Sequence, residues 1–172
     1  MPRLPLLMLA LCSWLLATPA AGQGFTEYQL KAGVLYNFIA FTTWPEAPPS
    51  VLNVCIYGPD PFAREIDALH GRKIGSGSLA VRRASSVEAL AGCQVVFIAQ
   101  GAIGNLPRVL EQLGDGPVLT VADAPGGAPR GIVLNMEMRQ GRLAFRANLA
   151  EARNRGLNLS SKLLRLASEV VQ

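Results

Sequence analysis

Hydrophobic positions recur first at helical spacing. Leu30, Val34, Phe38 and Phe41 fall at i, i+4, i+8 and i+11, and Leu35 and Ile39 widen the stripe. Thr26 and Gln29 have the spacing of a capping box at the start of this run. Pro45 cannot continue a helix and pushes Trp44 out of the α region. The stretch 31–45, KAGVLYNFIAFTTWP, therefore reads as an amphipathic helix that stops at a Trp-Pro corner. A helix this apolar must lie against a sheet.

The pattern then shortens into strands and helices in alternation. Val51 to Tyr57 is an unbroken apolar run bounded by Pro49 and Gly58, as a buried strand requires. Asp60 caps a predicted helix with Pro61 at its first position, running to about Leu69 with Phe62, Ile66 and Leu69 inward. Gly71 to Ser78 reads as a loop and Leu79 to Arg83 as a short strand. Ser85 or Ser86 caps a turn or two of helix, with Val87 and Leu90 inward. Gln94 to Ala99 and Pro117 to Ala122 are two more strands without alternation, so both faces are covered. Between them Asn105 caps a helix that ends at Leu113, with Gly114 in the C′ position.

From Gly131 to Ala147 the period changes to two. Ile132, Leu134, Met136 and Met138 point one way, and Val133, Asn135, Glu137 and Arg139 the other. Gln140-Gly141 makes a two-residue turn, which pairs Met138 with Leu143, Met136 with Phe145 and Leu134 with Ala147. Leu134, Met136, Met138, Leu143, Phe145 and Ala147 then fall on one face, leaving the other wet. Asn148 caps a short helix ending at Gly156, and Leu157 to Leu159 is extended. Ser160 or Ser161 caps a last helix, with Leu163, Leu164, Ala167, Val170 and Val171 on one side. The fold class is α/β: a single-domain, three-layer, Rossmann-like doubly wound sheet, mostly parallel, with an antiparallel C-terminal hairpin.

Composition changes this picture at the N-terminus. Of 172 residues half are hydrophobic and 16% charged, which excludes disorder. Arg3, the apolar run Leu4–Leu16 and the small residues Thr18–Gly22 form a secretory signal over residues 1–22, and the domain spans about 24–172. The mature chain is then expected in the periplasm or outside the cell, where disulfides persist. Cys12 lies in the signal, which leaves Cys55 and Cys93 as an even pair. One disulfide is the default reading, with two separately buried thiols as the alternative. In a sheet of order 2-1-3-4 the strands carrying them are neighbours. The net charge is +4, falling to about +3 without Arg3, and the basic residues form no stripe, so nucleic acid is not an expected partner.

Enzyme chemistry finds little support. His70 is the one histidine, and it sits before Gly71 where a helix C-terminus favours a cation. No Gly-x-Ser-x-Gly is present, and with the cysteines bonded no His/Cys set remains for zinc. Gly71–Ser78 resembles a phosphate loop in composition, but it leads into a strand and lacks a lysine before the serine. Gly101-Ala-Ile-Gly104 lacks dinucleotide spacing. Neither an enzyme nor a cofactor is expected. Recognition is the better reading, with Trp44 and the polar face of the last helix (Lys162, Arg165, Glu169) as candidates.

Two motifs carry a resemblance. KAGVLYNFIAFTTWP at 31–45 is similar to the pattern K-A-x-x-x-Y-N-F-x-x-F-x-x-W-P. GRLAFRANLAEARNRGLNLSSKLLRLA at 141–167 is similar to G-R-L-x-F-x-x-N-L-x-x-A-x-x-x-G-L-x-x-S-S-K-L-L-x-L-A, and VLTVAD at 118–123 also fits. The chain resembles the YfiR-type family of periplasmic repressors. The resemblance implies binding to the periplasmic domain of an inner-membrane diguanylate cyclase of the YfiN type, lowered cyclic di-GMP and biofilm formation, and release by envelope or redox signals. It also implies a homodimer, and it matches Cys55 and Cys93 to the family's strand-to-strand pair. A second cysteine pair near the family's hairpin has no counterpart here. Partner contacts are expected at Tyr36, Asn37, Trp44 and Pro45 in the first motif and at Ser160, Ser161 and Lys162 in the second. The competing readings are a small-molecule-binding module and an accessory domain for another membrane sensor or transporter.

Overall fold

The computed structural model describes residues 25–172. The signal expected at 1–22 lies outside the described residues. Helix α1 spans Glu27–Ala40 and starts on the expected capping box. Thr26 Oγ1 accepts from Gln29 N–H, and the Gln29 side chain accepts from Thr26 N–H at 2.9 Å. The helix ends four residues earlier than Trp44. Phe41 caps it, and the chain continues as a two-residue strand, β1 (Thr42–Thr43).

Seven further strands build the central sheet: β2 (Val51–Tyr57), β3 (Lys73–Ile74), β4 (Gly77–Ala84), β5 (Val95–Ile98), β6 (Leu119–Ala122), β7 (Leu134–Arg139) and β8 (Arg142–Asn148). Strand β9 (Asn158–Leu159) pairs with β1, and β10 (Glu169–Val171) completes the sheet in the order β10-β8-β7-β6-β5-β2-β4-β3. The segment β4-β2-β5-β6 is the expected 2-1-3-4 order, and its pairings are parallel. Helices α2 (Leu106–Leu113), α3 (Leu149–Asn154) and α4 (Ser161–Leu164) complete the set.

Alternate residues of each inner strand feed two cores. On one face Val54, Ile56, Val95, Phe97 and Val121 pack with Leu35, Phe38 and Ile39 of α1. On the other, Cys55, Tyr57, Val96 and Ile98 pack with Leu106 and Val109 of α2. The expected three layers are therefore present. Cys55 and Cys93 form a disulfide with Cα atoms 6.0 Å apart, joining β2 to the turn before β5. The alternative of two free thiols does not hold.

Several elements differ from expectation. Residues Ala63–Leu69 wind as a 3-10 helix, although Ile66 and Leu69 are buried as foreseen. Asp60 accepts from Phe62 N–H at 2.8 Å, so it caps the turn ahead of that helix. The Gly71–Ser78 loop contains β3, and β4 begins two residues before Leu79. The hairpin register is the one read from the sequence, from Met138 with Leu143 to Leu134 with Ala147. Its second face is not wet along its length, because Asn135 and Glu137 are buried. The alternation also breaks upstream: Ile132 joins the α2-side core, whereas Val133 and Leu134 both join the α1-side core.

The last helix is the largest departure. Only the single turn of α4 forms, capped by Ser160 Oγ on Leu163 N–H at 3.2 Å. Ser168 then directs both its N–H and its hydroxyl to Phe145 C=O, at 2.8 and 2.9 Å, and Glu169–Val171 runs parallel to β8. The β-branched Val170 and Val171 favour this extended state. Burial of Leu163 does not need the continued helix, and Leu166 is left 72% exposed.

Candidate functional site

The two motif-bearing ends of the domain meet. Strands β1 and β9 pair antiparallel, Thr42 opposite Leu159 and Thr43 opposite Asn158, and Ser160 N–H donates to Phe41 C=O at 2.9 Å. Further along, Pro45 lies against Gly156, where an added Cβ would contact its ring at 3.5 Å. Residues 31–45 and 156–162 therefore form one continuous region, though they are over a hundred positions apart in sequence.

Within it the expected contact residues differ in character. Tyr36 is half-buried, its hydroxyl donates to Lys73 C=O at 3.0 Å, and the Arg72 guanidinium lies 3.7 Å from its ring centroid. Asn37 is exposed, and its carbonyl serves the helix end by accepting from Phe41 N–H at 2.9 Å. Trp44 is half-buried against the α1-side core, and its indole Nε1 is buried without a hydrogen-bond partner among the described residues. Pro45 is exposed. Ser160 is spent on capping α4, while Ser161 and Lys162 are exposed beside it.

Trp44 to Pro49 forms a strap with a crevice on each side. One crevice, of about 350 Å³, lies between the strap, the end of α1 and the β3–β4 turn, with Ile39, Leu52, Trp44 and Ile74 in its walls. The other, of about 450 Å³, reaches Cys93, Gln94 and Val118. The strap returns to the sheet where Ser50 C=O accepts from Ser78 N–H at 2.9 Å. Gly77 permits that approach, since a Cβ there would sit 2.5 Å from Ser50 O.

A charged cluster at the carboxyl end of β6 was not among the expected site residues. Lys31 is 2% exposed; its ammonium donates to Asp123 Oδ2 at 2.7 Å and to Glu27 Oε1, and lies 4.7 Å from the Tyr28 ring centroid. Tyr28 OH donates to the same Asp123 oxygen at 3.2 Å. Burial on its own would lower the Lys31 pKa, but hydrogen bonds to Asp123 and Glu27 outweigh it and hold the ammonium above its ordinary value. Burial raises the Tyr28 phenol, partly offset by the Lys31 charge. The signal was in the sequence: Lys31, Leu35 and Ile39 fall at i, i+4 and i+8, a phase that puts the lysine on the buried stripe.

The crevice where doubly wound sheets hold ligands, at the switch between β2 and β5, is filled. Gly58, at φ 92°, lies so close beneath Ala102 that a Cβ would fall 2.5 Å from the alanine methyl. His70 is exposed and accepts from Val81 N–H at 3.2 Å, a structural role. Among the described residues no group of three or more His, Cys, Asp or Glu side chains is placed to hold a metal ion.

Comparison with curated proteins gives no match. A family model described as YfiR/HmsC-like matches residues 28–168, which takes in both α1 and the β1–β9 junction. The chain belongs to the YfiR/HmsC-like family.

Proposed function

We propose that the protein is a periplasmic regulator that binds the periplasmic domain of an inner-membrane diguanylate cyclase of the YfiN type. In this reading residues 1–22 are a cleaved secretory signal, and the mature protein acts as a homodimer that holds cyclic di-GMP output, and with it biofilm formation, down. Envelope or redox signals release the partner. The observation that carries the reading is family membership over residues 28–168, together with the meeting of the two motifs at β1 and β9. The partner surface comprises Tyr36, Asn37, Trp44, Pro45, Ser161 and Lys162. Ser160 contributes by shaping the α4 turn.

Repression follows from differential binding. The regulator shifts the cyclase toward its inactive state only by its greater affinity for that state. The test is titration of purified mature protein against the periplasmic domain of its cognate cyclase, by calorimetry. A saturable complex of fixed stoichiometry is expected, and no binding overturns the proposal. The crevice of about 350 Å³ beside Trp44 favours a second reading, a small-molecule module, which a thermal-shift screen separates from pure protein binding.

A further inference from the structure

Tyr36 and Arg72 form a stacked unit in which the Arg72 charge has no ion-pair partner among the described residues. The Tyr36 hydroxyl is held by Lys73 C=O at 3.0 Å, and the Arg72 guanidinium stacks 3.7 Å from the ring centroid. Arg72 and Lys73 are both exposed, and neither joins any of the ion pairs among the described residues. An arginine stacked on an aromatic ring keeps its fork of donors fixed and open, the geometry that receives a carboxylate in two parallel hydrogen bonds. Restricting its rotamers in advance lowers the entropy lost on binding.

The unit adjoins the apolar crevice at the strap. Ile74 follows Lys73 directly and lines that crevice, and Ala40, one helical turn after Tyr36, lines it too. Trp44, on the strap, lines it as well. The charged side chain lining the crevice is Glu46, on the strap, while the basic pair Arg72 and Lys73 directly precedes the lining residue Ile74.

We infer that Arg72, stacked on Tyr36, and the crevice between Trp44 and Ile74 dock a segment of the partner's periplasmic domain in which a carboxylate side chain adjoins a bulky apolar one. The carboxylate meets Arg72 and Lys73, and the apolar side chain fills the crevice. This rests on the function proposed above and is continuous with the Tyr36–Trp44 surface assigned there. Glu46 sets the orientation, because a carboxylate placed on its side of the crevice is repelled.

The test is the same titration, run at low and at raised salt, with Arg72→Glu, Arg72→Gln, Arg72→Lys and Ile74→Asp. Arg72→Glu is expected to weaken binding about tenfold at low salt, and the loss should shrink as salt screens the rim. Arg72→Lys should fall between wild type and Arg72→Gln, since it keeps the charge and loses the fork. Arg72 is exposed, so its three variants should keep the wild-type melting temperature, whereas Ile74 packs on the α1-side core and its variant is compared at a temperature where circular dichroism shows it folded. Ile74→Asp should weaken binding at both salt levels. Wild-type binding with all four variants equally tight overturns the docking site and leaves the proposed function standing. No binding by the wild-type protein overturns both.

Discussion

Lys31 concentrates the energetics of a single side chain. A buried ammonium is costly unless it is paired and hydrogen-bonded, and here Asp123 and Glu27 supply both conditions. Lys31→Met should therefore destabilise the fold by about 3 kcal/mol, because it leaves the buried Asp123 carboxylate without its cation. The double variant Lys31→Met with Asp123→Asn should cost less than the single one, and urea unfolding of the set measures both. The raised pKa of Lys31 also fixes a sign. Its contribution is complete below the ordinary lysine value of 10.5 and is lost as pH rises through the higher folded value. Tyr28, raised from 10.0 by burial, acts in the same direction. Melting temperature should thus fall in alkaline buffer, more steeply in the wild type than in Lys31→Met. The phase of Lys31 with Leu35 and Ile39 makes its burial legible, but not the partner that pairs its charge. The expected stripe includes Leu30, which is 39% exposed, whereas the buried face runs through Leu35, Phe38 and Ile39. The partner, Asp123, lies 92 positions away, where no local pattern can mark it.

At the scale of elements, local patterns succeeded where short-range rules decide and failed where distant contacts do. The ends of β2, the capping box of α1 and the full β7–β8 register were all readable, because caps, prolines and a two-residue turn specify them. The single turn of α4 and the strand β10 were not, since Phe145 C=O, far along the chain, captures Ser168. The β1–β9 pair was equally hidden: Thr42-Thr43 has no length from which to show a period. This pair and the strap determine whether the candidate surface exists at all. Gly77 tests the strap directly. Gly77→Ala pushes a methyl group against the Ser50 backbone and should cost about 1–3 kcal/mol, as overpacking does. It should also shift the fluorescence of Trp44, the one tryptophan outside the expected signal. An unchanged spectrum would show that the strap does not depend on that approach.

Across the whole molecule, the sheet has one covalent staple among the described residues, and it ties β2 to the entry of β5 inside the sheet. The disulfide joins residues 38 positions apart around β2, β3 and β4, while β6, β7, β8 and β10 are held by hydrogen bonds and packing alone. In the chain-entropy account a loop of this length is worth roughly 4 kcal/mol. Cys55→Ala with Cys93→Ala should lower stability by about that much, read from denaturant unfolding of the oxidised protein and the double variant. Equal stability would show that the bridge adds nothing to the fold. Cys55 is fully buried and Cys93 is 4% exposed at the crevice beside the strap, so a reductant's approach to the bond is from the strap side. The asymmetry has a mechanical side as well. Stretched between its ends, the oxidised chain cannot pay out the segment between the two cysteines, so its full extension stops about 130 Å short of the reduced chain. A processive unfolding machine working from the C-terminus would draw out the hairpin and β6 as a single thread. At Cys93 it would meet a closed loop and have to pass two strands at once.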